Sequence, residues 1–409
     1  MRLLLATMLL LLLGSTTGIA AVDRQDSTEI AHGRYLATLG DCGACHTNPG
    51  GKPYAGGRPI ATPFGTLLAP NLTPDRDTGI GAWSDDDFIA AVRDGVGHGG
   101  ERLYPAMPYT YYTGMSRDDV AAIRAYLATL EPVTNHVKSN QLPFPFDIRT
   151  GMDVWDWLYF SPGKFKPVTG KSPEWNRGAY LVEGPAHCGL CHTPKNFLGS
   201  DENSQALQGS ALQGWFAPDV TGAAHQGLGG WTVDDIAAYL KTGHNRFSAA
   251  TGPMSEVITD STSRMTDADL RAVAVYLHDQ TAAPAETASA APDDKTMHAG
   301  AAIYVDNCAA CHYGNGSGSP GLFPNLQHSA MVQSADPTDL IRIVLEGTRS
   351  VATTGAPTGP AMPTFGWKLS NAEIASVLSY IRHSWGNSAA PVSADAVASQ
   401  RQSLARGED

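Results

Sequence analysis

One arrangement of apolar and polar positions returns three times along this chain. Asp119 and Val120 are followed by Ile123, Tyr126 and Leu127; Asp269 and Leu270 by Val273, Tyr276 and Leu277; Glu373 and Ile374 by Val377, Tyr380 and Ile381. Apolar residues three and four apart share one face of a helix, so each stretch predicts an amphipathic helix with its acid in the first turn. Three residues before each acid stands a hydroxyl, Ser116, Thr266 or Ser370, the spacing of an N-cap with a capping-box partner.

Two further helices accompany each of these. A middle helix runs from Trp83-Ser84 through Phe88 and Val92 to Gly95, from Trp231-Thr232 through Ile236 and Leu240 to Gly243, and from Asp336 through Leu340 and Val344 to Gly347. Each stops at glycine, a common helix C-cap. Upstream lie Gly33-Arg34-Tyr35-Leu36, Gly178-Ala179-Tyr180-Leu181 and Gly300-Ala301-Ala302-Ile303-Tyr304, where the glycine lets another helix come close. Any one of these patterns is generic, but three sets in matching order are an internal repeat. They predict an all-α protein of three tandem domains, at 27–131, 173–278 and 297–387.

The connecting stretches differ in character. Residues 132–172 carry Leu142-Pro143-Phe144-Pro145-Phe146 and an aromatic run in which Met152, Trp155 and Tyr159 share a helical face, read as packing against the first domain. Residues 279–296, rich in Ala, Pro, Thr and Asp, predict an exposed hinge, and 388–409 a disordered polar tail. At the start, Met1-Arg2, the apolar run Leu3 to Leu13 and the small residues Gly18 to Ala21 read as a secretory signal peptide over 1–20. The run is shorter than the ~20 residues of a membrane span. A periplasmic mature protein is therefore expected.

The cysteines give the repeat its chemistry. All six lie in Cys42-Gly43-Ala44-Cys45-His46, Cys188-Gly189-Leu190-Cys191-His192 and Cys308-Ala309-Ala310-Cys311-His312. Two thiols bonded to a porphyrin, with the adjacent histidine on its iron, are the attachment signature of a c-type haem. Three haem c groups are expected, and no thiol is left for a disulfide, another metal or a nucleophile. The 43 Gly and 27 Pro imply long loops, which suits domains of roughly 100 residues whose core is partly porphyrin. A net charge of -12 excludes nucleic acid, because an acidic surface repels phosphate.

An iron held by one histidine leaves an axial side to fill. Met107, Met254 and Met362 follow the motif histidines by 61, 62 and 50 residues, each in an expected turn before the last helix. Repetition after every motif marks them as the sixth ligands, whereas Met115 and Met265 fall at helix caps and Met331 before a middle helix. Histidine and methionine together fill both axial sites and raise the potential, which suits one-electron transfer and not oxygen or peroxide chemistry. No catalytic residue is expected. Arg93, Arg102, Arg246 and Arg349 are candidate propionate partners, Trp83 and Trp231 either haem-edge or core residues, and His98, His187 and His244 surface or hydrogen-bonding histidines.

Ala69-Pro70-Asn71-Leu72, Ala217-Pro218-Asp219-Val220 and Phe323-Pro324-Asn325-Leu326 complete a resemblance to class I cytochromes c. That resemblance implies that the proline carbonyl bonds the ligand histidine. The signal peptide, Leu103-Tyr104-Pro105-Ala106-Met107-Pro108-Tyr109, the Trp83-Ser84 helix start and the Pro-Phe linker resemble, over nearly the whole chain, triple-haem cytochrome c subunits of bacterial membrane-associated dehydrogenases for alcohol, gluconate, sorbitol and fructose. The resemblance implies a non-catalytic subunit at the outer face of the cytoplasmic membrane. Its implied partners are a catalytic subunit with pyrroloquinoline quinone, flavin or molybdopterin, a small third subunit, and ubiquinone or an oxidase downstream. A free periplasmic shuttle and a haem peroxidase are the alternatives. The end of the chain lacks an apolar stripe, so membrane contact falls to another face or to the partner.

Overall fold

The structure, a computed structural model, describes residues 27–212, 214–282 and 289–407. The expected signal peptide lies outside them. Three units of like architecture follow one another. The first holds α1 (Ser27–Leu39), α2 (Cys42–His46), the hairpin β1 (Pro59–Thr62) and β2 (Gly65–Leu68), α3 (Asp85–Asp94), α4 (Tyr109–Tyr112) and α5 (Arg117–Leu127). After α6 (Gly151–Tyr159), the second holds α7 (Pro173–Glu183), α8 (Gly189–His192), β3 (Gln208–Leu212), β4 (Trp215–Asp219), α9 (Val233–Thr242), α10 (Pro253–Asp260) and α11 (Asp267–His278). The third comprises α12 (Asp294–Asn307), α13 (Ala309–His312), α14 (Ala330–Gln333), α15 (Thr338–Glu346), β5 (Thr348–Arg349), β6 (Ala361–Met362), α16 (Asn371–Arg382) and α17 (Ala394–Arg406).

The all-α expectation needs correction, since each unit adds one antiparallel two-stranded hairpin. In each, the first helix packs on the helix that begins with the repeated acid, α1 on α5, α7 on α11 and α12 on α16. The crossing is close because of the predicted glycines. A Cβ on Gly33 would stand 1.8 Å from the Ala122 carbonyl oxygen, on Gly178 2.0 Å from that of Ala272, and on Gly300 2.3 Å from that of Ser376. Nothing but hydrogen fits there. The middle helices α3 and α9 end at Gly95 and Gly243 with φ of 64° and 80°, as the C-cap requires.

The polar tail is also corrected, because most of it is α17. Val397 is fully buried, Ala396 and Leu404 pack on the third core, and Arg401 donates to the carbonyls of Gly366 and Leu369. A narrow apolar stripe suffices when one arginine satisfies neighbouring backbone. In the 132–172 linker, Asp156 of α6 is buried and accepts from Tyr109, while the Trp155 indole donates to Leu198 of the second unit. The linker thus packs on both units, not on the first alone.

Candidate haem sites

Each Cys-X-X-Cys-His segment forms a short helix or helix start directly after the first helix of its unit, and a loop then folds a proline carbonyl onto the histidine. His46 Nδ1 lies 2.8 Å from the Pro70 oxygen, His192 Nδ1 2.7 Å from that of Pro218, and His312 Nδ1 3.0 Å from that of Pro324. A carbonyl only accepts, so the proton sits on Nδ1 and Nε2 keeps its lone pair. Among the described residues no hydrogen bond engages any of the three Nε2 atoms. Burial lowers the pKa of all three rings against the pull of the carbonyl bond, which favours the neutral, ligating form.

The cysteines are unpaired, and burial pushes the thiols of Cys42 and Cys188 up to about 12 and those of Cys45 and Cys308 up to about 11. Burial likewise raises Cys191. In every unit the predicted methionine packs on the same apolar cluster as the first cysteine: Met107 with Cys42, Met254 with Cys188, Met362 with Cys308. Their settings differ from the common turn that was expected. Met107 is in a turn closed on Tyr104, Met254 in the first turn of α10, and Met362 in β6 opposite Thr348. Met115 and Met265 are buried core residues at the helix caps.

The donor set fits a covalently held porphyrin: paired thiols, an imidazole fixed through its far nitrogen, and a thioether in the same apolar cluster. The candidate propionate arginines have partners within the protein. Arg102 pairs with Asp153 (3.1 Å) and Asp156 (3.4 Å), Arg246 with Asp235 (2.9 Å), and Arg93 and Arg349 with the carbonyls of Thr113 and Gly359. Trp83 stacks on His98 and Trp231 on Phe247, each pair 5.5 Å apart. His187 and His244 are more enclosed than expected, the first lying against the Gly40 carbonyl and the second buried.

Two features escaped the sequence. Arg58 donates to the Ala44 carbonyl inside the first motif and to Glu256 of the second unit. Asp41, beside Cys42, is pushed up to about 7 by burial first and then by Asp260 and Glu256. Both depend on partners more than 190 positions away in the chain, so no local pattern announces them.

The cytochrome c family model matches residues 30–131 and 297–385. The cytochrome c subunit of gluconate 2-dehydrogenase from Pantoea cypripedii is 40% identical, over 98% of this chain and 96% of its own. The chain belongs to the family of dehydrogenase cytochrome c subunits. Two other members are the cytochrome c subunit of quinone alcohol dehydrogenase from Gluconobacter oxydans, 37% identical over 92% of this chain and 83% of its own, and the cytochrome subunit of fructose dehydrogenase from Gluconobacter japonicus, 37% identical over 90% and 82%. Membership implies covalently bound c-type haem and electron transfer. The second unit, outside the family-model match, carries the same motif and the same crossing of first and last helices.

Proposed function

We propose that this chain is the electron-transfer subunit of a periplasmic dehydrogenase complex and carries three haem c groups in three tandem class I cytochrome c domains. Cys42 and Cys45, Cys188 and Cys191, and Cys308 and Cys311 attach the porphyrins. His46, His192 and His312 ligate one side of each iron, and Met107, Met254 and Met362 the other. The observation that carries this reading is the bond from each motif histidine to a proline carbonyl, made three times. It holds the ring in the tautomer and orientation that ligation needs. When bound, haem would supply one-electron exchange at its iron.

A catalytic subunit carrying pyrroloquinoline quinone, flavin or molybdopterin supplies the electrons, a small third subunit completes the complex, and ubiquinone or an oxidase receives them. Near full-length similarity to dehydrogenase cytochrome subunits supports such a partner. The 1–20 segment supports export. No described helix is long and apolar enough to cross a membrane. Peripheral association with the outer face of the cytoplasmic membrane is part of this proposal. Phe144, Val154, Trp157, Leu158 and Phe197 are exposed on and beside the linker and suit that contact.

Pyridine haemochrome titration of the exported chain tests the reading and is expected to give three haems per chain. Replacing Met107, Met254 or Met362 by alanine is expected to lower one potential and open one iron to carbon monoxide. An unchanged spectrum removes that methionine from the ligand set. Purification of the native chain without a dehydrogenase would favour a free shuttle instead.

A further inference from the structure

In a closed capping box the carboxylate at the third helical position accepts from the backbone N–H of the N-cap residue. Glu373 does this to Ser370 at the start of α16, at 2.8 Å. Asp87 and Asp235 close the boxes of α3 and α9 in the same way, so aspartate is long enough. At α5 and α11 the box stays open, and a tyrosine hydroxyl from the other unit fills it. Tyr35 of α1 donates to Asp269 (2.7 Å) and accepts from the N–H of Thr266 (3.2 Å). Tyr180 of α7 donates to Asp119 and accepts from the N–H of Ser116 (3.3 Å).

The exchange is reciprocal between the first two units. Three residues before each tyrosine, a basic side chain holds the aspartate of its own unit: Arg177 makes two bonds of 2.8 Å to Asp269, and His32 lies 2.6 Å from Asp119. The third unit has none of these parts. Counting from Gly300, Ala299 and Ala302 stand where the basic residue and the tyrosine stand in the others, and its box closes on itself.

The same pairing lays the methionine-bearing segment of each unit on the attachment loop of the other. Helix α10, with Met254, packs on α2. Tyr111 of α4, just after Met107, lies so near Gly189 that a Cβ there would meet its hydroxyl at 2.7 Å.

We propose that Tyr35 and Tyr180 are positioning residues that hold the first two haem-attachment loops in one fixed relation for electron exchange between them. The inference rests on the three-haem reading above. The test uses the full-length haem-loaded chain with Tyr35→Phe and Tyr180→Phe singly and together, which keeps the rings and removes the hydroxyls. Nitroxide labels on the exposed faces of the first two units report their separation by pulsed electron resonance, and flash photoreduction reports exchange between their haems. Each substitution is expected to shift the closed pair about tenfold towards open forms, from the loss of hydrogen bonds to a charged group. The double variant should show a broadened distance distribution and slower exchange, with its ligand spectrum unchanged. A distribution like that of the parent chain, or a broadened one with exchange undiminished, overturns the proposal. Should the double variant not fold, Asp119→Asn with Asp269→Asn reads the same bonds from the other side and is judged by the same outcomes. Absence of any interhaem exchange in the parent chain would sink the relay reading itself, whereas the distance measurement would still judge the tyrosines.

Discussion

The first two units and the third share a fold, a motif and a helix crossing, yet they treat the same surface in opposite ways. Leu39, seven residues before His46, is 1% exposed against the second unit; Val305, seven before His312, is 67% exposed. Trp367, close after Met362, is also open to solvent. The third unit meets the second elsewhere, through Asp339 accepting from the Phe216 N–H (2.7 Å) and Arg342 lying over the Trp215 ring (4.5 Å). A repeated fold therefore does not repeat its contacts. A tyrosine and a basic residue on the first helix separate a paired unit from an unpaired one.

The comparison can be broken most severely at the motifs. Replacing Cys308 and Cys311 by serine is expected to remove the haem of the third unit and leave the paired units folded, whereas the same change at Cys42 and Cys45 should loosen the second unit as well. Haem stoichiometry and limited proteolysis distinguish the two. A smaller effect is expected at the helix crossing. Gly33→Ala places a methyl against the Ala122 carbonyl and should cost about 3 kcal/mol in chemical denaturation, in a transition shared with the second unit. Gly300→Ala should destabilise the third unit alone.

The mildest effect is of pH, and its sign differs between the two contacts. Burial raises Asp119 and Asp269, but hydrogen bonds from Tyr180, His32 and Ser116, and from Arg177 and Tyr35, outweigh it and hold both below the ordinary carboxylate value. Their contribution is present above that ordinary value, about 4, and is lost as pH falls through the folded one. Acid should therefore loosen the first two units. Asp339 is raised to about 6 by burial, against the Phe216 bond. Its contribution is present below its unfolded value and lost as pH rises through about 6, so the contact between second and third units should weaken over that interval. Label distances across each interface, followed from pH 3 to 7, check both signs, with a common direction refuting the assignment.

Much of each unit was legible because it is written in near neighbours. Helical spacing located α5, α11 and α16, the motif located the haem-bearing loops, and glycine marked each crossing. The hairpins were missed because strands of two to five residues leave too short a pattern. Helix α17 was missed because a single buried valine and a docked arginine, not a broad apolar face, hold it. Met254 was singled out by its distance from His192, and its local setting is a helix instead of the expected turn.

By itself the sequence determined the repeat, the attachment chemistry and the helical frame, since periodicity and motif spacing act between residues a few positions apart. Only the tertiary structure decided which units pair. That choice rests on contacts such as Tyr35 with Asp269, 234 positions apart, where a hydroxyl enters a capping box that local sequence alone would have closed.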